Sequence, residues 1–181
     1  MRFALRFGAL AALLYLALYF PYAPDSAPAR WLGAYVRLQA TLAGGLVTLF
    51  DPQARVVGHL ISGRFSLAIV LDCAAVDALA LFAATVLAFP APPRLKLVGL
   101  AAGGTAIAAL NVVRIAVLYF VGASWPRHFQ FLHEEVFQLA LDVASCAAFA
   151  AWAFWAVSRT RRHPSAAALH APLQELSRAK S

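Results

Sequence analysis

Long apolar runs, separated by short polar or basic segments, fill most of the chain up to about residue 157. Four of these runs approach the roughly 20 residues that a helix needs to cross a bilayer. They cover residues 5–20, 73–89, 95–121 and 136–157. The pattern predicts an all-α polytopic membrane protein with about four transmembrane helices.

The stretch between the first two runs is mixed in character. Residues 30–50 have helical spacing, and the apolar face that this spacing predicts consists of Trp31, Leu38, Leu42, Leu46 and Leu49. Arg30 and Arg37 fall away from that face, and Gly44-Gly45 interrupts the middle. A single apolar face of this kind is typical of a helix lying in the membrane interface. We expect an interfacial or partly inserted helix on the outer side.

A strand-like region follows. Residues 56–60 and 65–71 flank the turn dipeptide Ser62-Gly63, and apolar and polar positions alternate in the second run. This alternation predicts a half-buried strand, so the region is expected to form a short β-hairpin leading to Cys73. Its edge is also able to pair with an extended peptide.

Basic residues suggest the orientation. With the N-terminus inside, the inner side receives Arg2, Arg6, Arg94, Lys96, Arg159, Arg161, Arg162, Arg178 and Lys180. Glu175 is the single acidic residue on that side. The positive-inside rule therefore predicts that both termini are cytoplasmic. The first segment has a second interpretation, a signal peptide cleaved near Ala27-Pro28-Ala29.

Composition supports a membrane class, since 62% of the 181 residues are hydrophobic and only 13% are charged. We expect one membrane-embedded domain over residues 1–157, with residues 21–72 mostly on the outer side, and a basic, disordered cytoplasmic tail over residues 158–181. The net charge of +7 is scattered between apolar runs, which argues against nucleic acid and for a lipid bilayer as partner. No HExxH, glycine-rich phosphate loop or CxxC pair occurs, so no cofactor or metal site is expected.

Two cysteines differ in their predicted surroundings. Cys73 follows Asp72, a good N-cap, so the thiol is expected at a helix N-terminus. The helix dipole there favours thiolate, whereas the negative charge of Asp72 opposes it, and the sequence leaves the net effect open. Cys146 lies deep within the last apolar run and is expected to be inert. A free cysteine is most often a small buried hydrophobe, and that interpretation stays open for Cys73.

An arginine inside an apolar span is costly and marks a site or a buried partner. Arg114 shares a helix face with Asn111, three residues earlier. Either Arg114 is functional, with Asn111 supporting it, or it forms a structural ion pair with Asp77 or Asp142.

His133 begins the last apolar segment and is able to transfer protons near neutral pH, with His128 as a rival in the same loop. The predicted orientation brings Cys73, Arg114 and His133 to one membrane face. A thiol and an imidazole supply a nucleophile and its base, and a guanidinium is able to hold an oxyanion. This set predicts nucleophilic chemistry on an acyl group.

The sequence resembles the exosortase/archaeosortase family of membrane-embedded cysteine transpeptidases over about residues 50–157. The resemblance rests on Cys73 after a short hairpin, Asn111-Val-Val-Arg114-Ile115, and His133 at the start of the next helix, in that order. It implies that Cys73 is the nucleophile, with Arg114 and His133 as the other catalytic residues. We expect Asn111 and Asp77 to support this set.

The compact size and the Ala-Phe-Pro-Ala-Pro run at residues 88–92 are most similar to the short exosortase H subgroup. The resemblance implies cleavage of C-terminal sorting signals on exported proteins, at the outer face of a bacterial inner membrane, with transfer to a surface acceptor. Such a signal consists of a short motif, a transmembrane helix and a basic end. The family often has a polar residue and Gly after the cysteine, where this chain has Ala74-Ala75. The alternatives are a non-enzymatic membrane assembly subunit and a small transporter, both with buried structural ion pairs.

Overall fold

The computed structural model describes residues 2–162 and is mostly helical. The first four helices are α1 (Arg2–Tyr19), α2 (Ala27–Thr48), α3 (Val76–Ala88) and α4 (Pro93–Ser124). After α4 come a 3-10 turn (Pro126–His128), the short α5 (Phe129–Phe131), a π-helical turn (Leu132–Val136) and α6 (Phe137–Arg162). Between α2 and α3 lie β1 (Arg55–Val57), β2 (Leu60–Ser62) and β3 (Ser66–Ala68).

Two helical segments within residues 2–162 are long and apolar enough to cross a membrane, namely Pro93–Ser124 and Pro126–Arg161. They correspond to the third and fourth predicted spans. The helices of the first two predicted spans, α1 and α3, are apolar but shorter. With 13 residues, α3 is only about 20 Å long at 1.5 Å per residue, less than the thickness of the hydrocarbon core. The count of four spans therefore stays a prediction.

Helix α2 is present, and its small side chains form the face that packs in the protein. Ser26 caps the helix by accepting a hydrogen bond from the backbone N–H of Ala29, at 3.4 Å. Its buried residues are Val36, Gln39, Ala40, Ala43, Gly44 and Val47. The large side chains of the predicted apolar face, Trp31, Leu38, Leu42, Leu46 and Leu49, are all exposed, and the position of this face in the membrane interface stays a prediction. Small side chains allow close helix packing, whereas leucines are equally stable against lipid tails.

The predicted hairpin is one half of a three-stranded antiparallel sheet ordered β1-β2-β3. The strands β2 and β3 are joined by residues 63–65, and Ser62, the last residue of β2, lies opposite Ser66. The additional turn lies at Gly58, whose φ of +63° is a conformation that glycine adopts without strain. The sheet packs on α2 at Gly44, where a Cβ atom would overlap Val56.

Helix α4 is central to the bundle, because it packs against α2, α3 and α6. One core cluster joins α2, the sheet and the last third of α4 around Ile61, Ile115 and Tyr119. A second cluster joins α3, α4 and α6 around Phe82 and Trp152. The irregular segments before α3 and before α6 therefore meet α4 at the same end of the bundle.

Helix α1 packs along α3. At its C-terminal end the Tyr19 hydroxyl lies 3.0 Å from both carboxylate oxygens of Asp77 and 3.2 Å from Oδ1 of Asp72. These contacts make α1 part of the bundle near Cys73. At the other end of the chain, α6 continues to Arg162, so residues 158–162 are helical and the rest of the predicted tail lies outside the described residues.

Candidate active site

Cys73 lies in a 3-10 turn, Leu71–Ala74, immediately before α3. The predicted role of Asp72 as N-cap of this helix is wrong. The residue before α3 is Ala75, and Asp72 is bonded to Tyr19 instead. Ala75 adopts a left-handed conformation, with φ +57° and ψ +24°. The left-handed backbone at Ala75 separates the Cys73 thiol from the first turn of α3. Cys73 itself is half-buried.

The imidazole of His133 reaches this thiol. Its Nε2 atom lies 3.4 Å from Cys73 Sγ, within hydrogen-bonding distance for sulfur. His133 is part of the π-helical turn, a rare geometry that is frequent at functional sites. Its ring stacks on Phe129, with centroids 5.7 Å apart and planes 8° apart, and Phe129 packs on Phe65, which lies between β2 and β3. These aromatic contacts orient the imidazole toward the thiol.

Arg114 is almost fully buried, with 6% of its surface exposed. Its Nη1 donates to Oδ1 of Asn111 at 3.3 Å, and its Nη2 donates to the backbone carbonyl of His133 at 3.1 Å. The buried Nε–H has no partner among residues 2–162. The guanidinium is therefore held by two neutral oxygens and retains a free donor.

The two acids proposed as ion-pair partners are engaged elsewhere. Asp77 accepts from Tyr19, and Asp142 accepts from Gln138 at 3.4 Å. Both carboxylates are half-buried. Within the described part of the chain, neither forms a hydrogen bond to Arg114. The contacts of Arg114 are consequently those of a positioned donor and differ from those of a structural ion pair.

Asn111 connects these groups. Its Nδ2 donates to the backbone carbonyl of Cys73 at 2.9 Å and to Oε1 of Gln39 at 3.3 Å, while its Oδ1 accepts from Arg114. Gln39 is a site residue that the sequence reasoning missed. The available signal was its position on the small-residue face of α2, three residues after Val36 and four before Ala43.

The remaining candidates lie apart from this cluster. His128 is exposed in the 3-10 turn after α4. Cys146 is exposed on α6 and lines a cavity of about 350 Å³ between α3 and α6, together with Asp142 and Ser145. Among residues 2–162, no group of three or more His, Cys, Asp or Glu side chains is arranged to hold a metal ion.

Comparison with known proteins adds one finding. A family model described as "Transmembrane exosortase (Exosortase_EpsH)" matches residues 4–150. The match covers most of the chain and includes Cys73, Asn111, Arg114 and His133. No curated protein and no solved structure gives a significant match.

Proposed function

The chain belongs to the transmembrane exosortase family, and on that premise we propose that it is a cysteine peptidase and transpeptidase of the membrane. Its substrates are exported proteins that end in a C-terminal sorting signal, made of a short motif, a transmembrane helix and a basic end. The enzyme cleaves this signal and transfers the new carboxyl end to a surface acceptor.

The observation that carries the proposal is the distance of 3.4 Å between Cys73 Sγ and His133 Nε2. A neutral imidazole at this distance accepts the thiol proton, and the thiolate attacks the scissile carbonyl carbon. When the tetrahedral intermediate collapses, the peptide C–N bond breaks and the leaving amine takes the proton from the imidazolium. The resulting thioester on Cys73 is then attacked by an acceptor amine or by water, which regenerates the thiol.

Arg114 is the electrostatic group of this mechanism. Two of its donors are fixed by Asn111 and by the His133 carbonyl, and the orphaned Nε–H is buried. A buried donor held in place before the reaction stabilises developing negative charge without a cost of reorganisation. The guanidinium therefore stabilises the oxyanion or orients the substrate carbonyl.

The proposed location is a bacterial inner membrane, with both termini in the cytoplasm and the site facing the periplasm. The distribution of Lys and Arg supports this orientation. Helix α1 serves as a retained anchor in this arrangement, because its Tyr19 contacts Asp72 and Asp77 beside the nucleophile. Removal of α1 by a signal peptidase would take these contacts away.

The test uses a reporter carrying a C-terminal sorting signal from the same genome, expressed together with the full-length protein. Cys73→Ala should accumulate in the membrane and leave the reporter unprocessed, and Cys73→Ser should be nearly as inactive because a hydroxyl is a weaker nucleophile. Cys146→Ala is the matched control and should process normally. If Cys73→Ala processes the reporter at the wild-type rate, the proposal is wrong. An assembly subunit or a small transporter would then be the better interpretation.

A further inference from the structure

Two buried amide side chains join α2 to the site. Gln39 is 1% exposed and Asn111 is fully buried, although they lie 72 residues apart in sequence. Buried amides are costly unless all of their polar atoms have partners. Asn111 meets this condition with three partners, namely Arg114, Cys73 and Gln39.

The charge of Arg114 fixes the direction of every hydrogen bond in this chain of contacts. A guanidinium only donates, so Asn111 must turn its oxygen toward Arg114. The Asn111 NH₂ group then faces the Cys73 carbonyl and Gln39, which must present its own oxygen. The Gln39 NH₂ group is left to donate to the Tyr35 hydroxyl, at 3.0 Å. A single orientation of each amide satisfies all four contacts.

We propose that Gln39 is a positioning residue for the nucleophile and acts through Asn111. With its oxygen in place, Gln39 holds the Asn111 NH₂ group against the Cys73 carbonyl, and Tyr35 holds Gln39 in turn. The 3-10 turn that carries Cys73 is only four residues long, Leu71–Ala74, and the backbone N–H of Cys73 donates to the Val70 carbonyl. Helix α2 thereby sets the position of the thiol relative to the imidazole of His133.

The effect of Gln39 on catalysis rests on the proposed function. Its effect on the position of the Cys73 thiol does not, because that position is measurable without a substrate. The first readout is the rate of Cys73 alkylation by iodoacetamide across pH, in membranes containing the full-length protein with Cys146→Ala. The second is processing of the reporter. Each is compared among wild type, Gln39→Met and Gln39→Glu, at matched protein accumulation.

These two substitutions separate positioning from packing. Gln39→Met keeps the shape of the side chain but has no oxygen for Asn111, so both readouts should fall by about tenfold, the scale of one lost buried hydrogen bond. Gln39→Glu keeps an oxygen for Asn111 and allows the Tyr35 hydroxyl to donate, so it should retain more of both than Gln39→Met. If Gln39 serves only to fill space, Gln39→Met should instead retain more of both readouts than Gln39→Glu. In an Asn111→Ala background, Gln39→Met should add no further loss.

Thr41→Val, on the exposed side of α2, is the control and should match wild type. If Gln39→Met equals wild type in alkylation, or exceeds Gln39→Glu, the inference is overturned. If Gln39→Met does not accumulate, Tyr35→Phe replaces it, and unchanged alkylation in that variant overturns the inference as well. If the alkylation order is as expected but wild type processes no reporter, the positioning role stands and the proposed function fails.

Discussion

Cys73 Sγ and His133 Nε2 lie 3.4 Å apart, although 60 residues of chain separate them. Neither residue is part of a regular α-helix, since one is in a 3-10 turn and the other in a π-helical turn. Both turns are fixed by contacts to α4, through Asn111 to the Cys73 carbonyl and through Arg114 to the His133 carbonyl. The pair is therefore held by its backbone as well as by its side chains.

This pairing distinguishes the two histidines of the loop after α4. His133→Ala should reduce reporter processing to the level of Cys73→Ala, because the thiol then has no base. His128→Ala should process normally, since His128 is exposed and lies outside the site. The measurement is the fraction of reporter cleaved at equal accumulation of the variants. Normal processing by His133→Ala would remove the thiol–imidazole pair from the mechanism.

Arg114→Lys should lower processing by about 100-fold, the effect of removing an oxyanion donor. A lysine ammonium is a point charge and does not reproduce the planar donor that bonds Asn111, the His133 carbonyl and a substrate together. Arg127→Lys, at an exposed arginine in the following turn, is the control. Processing is again scored at matched membrane levels. If Arg114→Lys and Asp77→Asn both fail to accumulate, a buried structural pair explains Arg114 better.

The proposed orientation makes the two cysteines unequal toward a thiol reagent that does not cross membranes. Applied to intact spheroplasts, the reagent should label Cys73, which is half-buried and which the proposed orientation places at the outer end of the bundle. Cys146 should stay unlabelled. It lies nine residues into α6, or about 14 Å along the helix, and lines the cavity between α3 and α6, which the proposed orientation places within the membrane. Single-cysteine variants provide the measurement, and labelling of Cys146 alone would reverse the orientation.

A contact outside the site should make stability depend on pH. The Tyr119 hydroxyl donates to Oδ2 of Asp51 at 2.7 Å and accepts from the backbone N–H of Arg64. The hydrogen bond from Tyr119 lowers the pKa of Asp51. A carboxyl whose pKa is lowered in the folded state stabilises the fold above the ordinary value of about 4. This stabilisation is lost as the pH falls from there through the folded pKa, because the unfolded chain takes up the proton first.

Tyr119→Phe should therefore lower the Tm at pH 7, and its difference from wild type should shrink as the pH falls below about 4. The measurement is thermal unfolding of the purified protein in detergent, at pH 7 and at a pH below about 4. Tyr15→Phe, at an exposed tyrosine of α1, should leave the Tm unchanged at either pH. A difference between Tyr119→Phe and wild type that is equal at both pH values would rule out the ionisation of Asp51 as its cause.

The left-handed residue after the Cys73 turn offers a test of local strain. A left-handed conformation costs a non-glycine residue on the order of 1 kcal/mol, and burial of a methyl group returns a similar amount. Ala75→Gly should therefore change the free energy of unfolding by less than about 1 kcal/mol and preserve processing. Ala75→Val should destabilise by about 2 kcal/mol or more, because a branched side chain is disfavoured at this φ. Equal Tm values for the two variants would contradict the strain at Ala75.

The residues themselves determined the helical class and the candidate chemistry. Apolar runs of the length of a bilayer span predicted α4 and α6, and the costly position of Arg114 within one of them marked a site before any contact was known. The order of Cys73, Asn111, Arg114 and His133 along the chain predicted the exosortase family, which the family match confirms. These features depend only on residue types and their order along the chain.

Tertiary structure decided which face of α2 is buried and which residues support the site. Hydrophobicity does not distinguish a lipid-facing leucine from a core leucine, so the sequence did not show that the small-residue face of α2 packs in the protein, and Gln39 on that face was missed. The contact of Arg114 with the His133 carbonyl likewise joins α4 to the turn before α6. Such contacts form only when irregular turns pack against α4, because a short turn has too few internal hydrogen bonds to fix its own geometry.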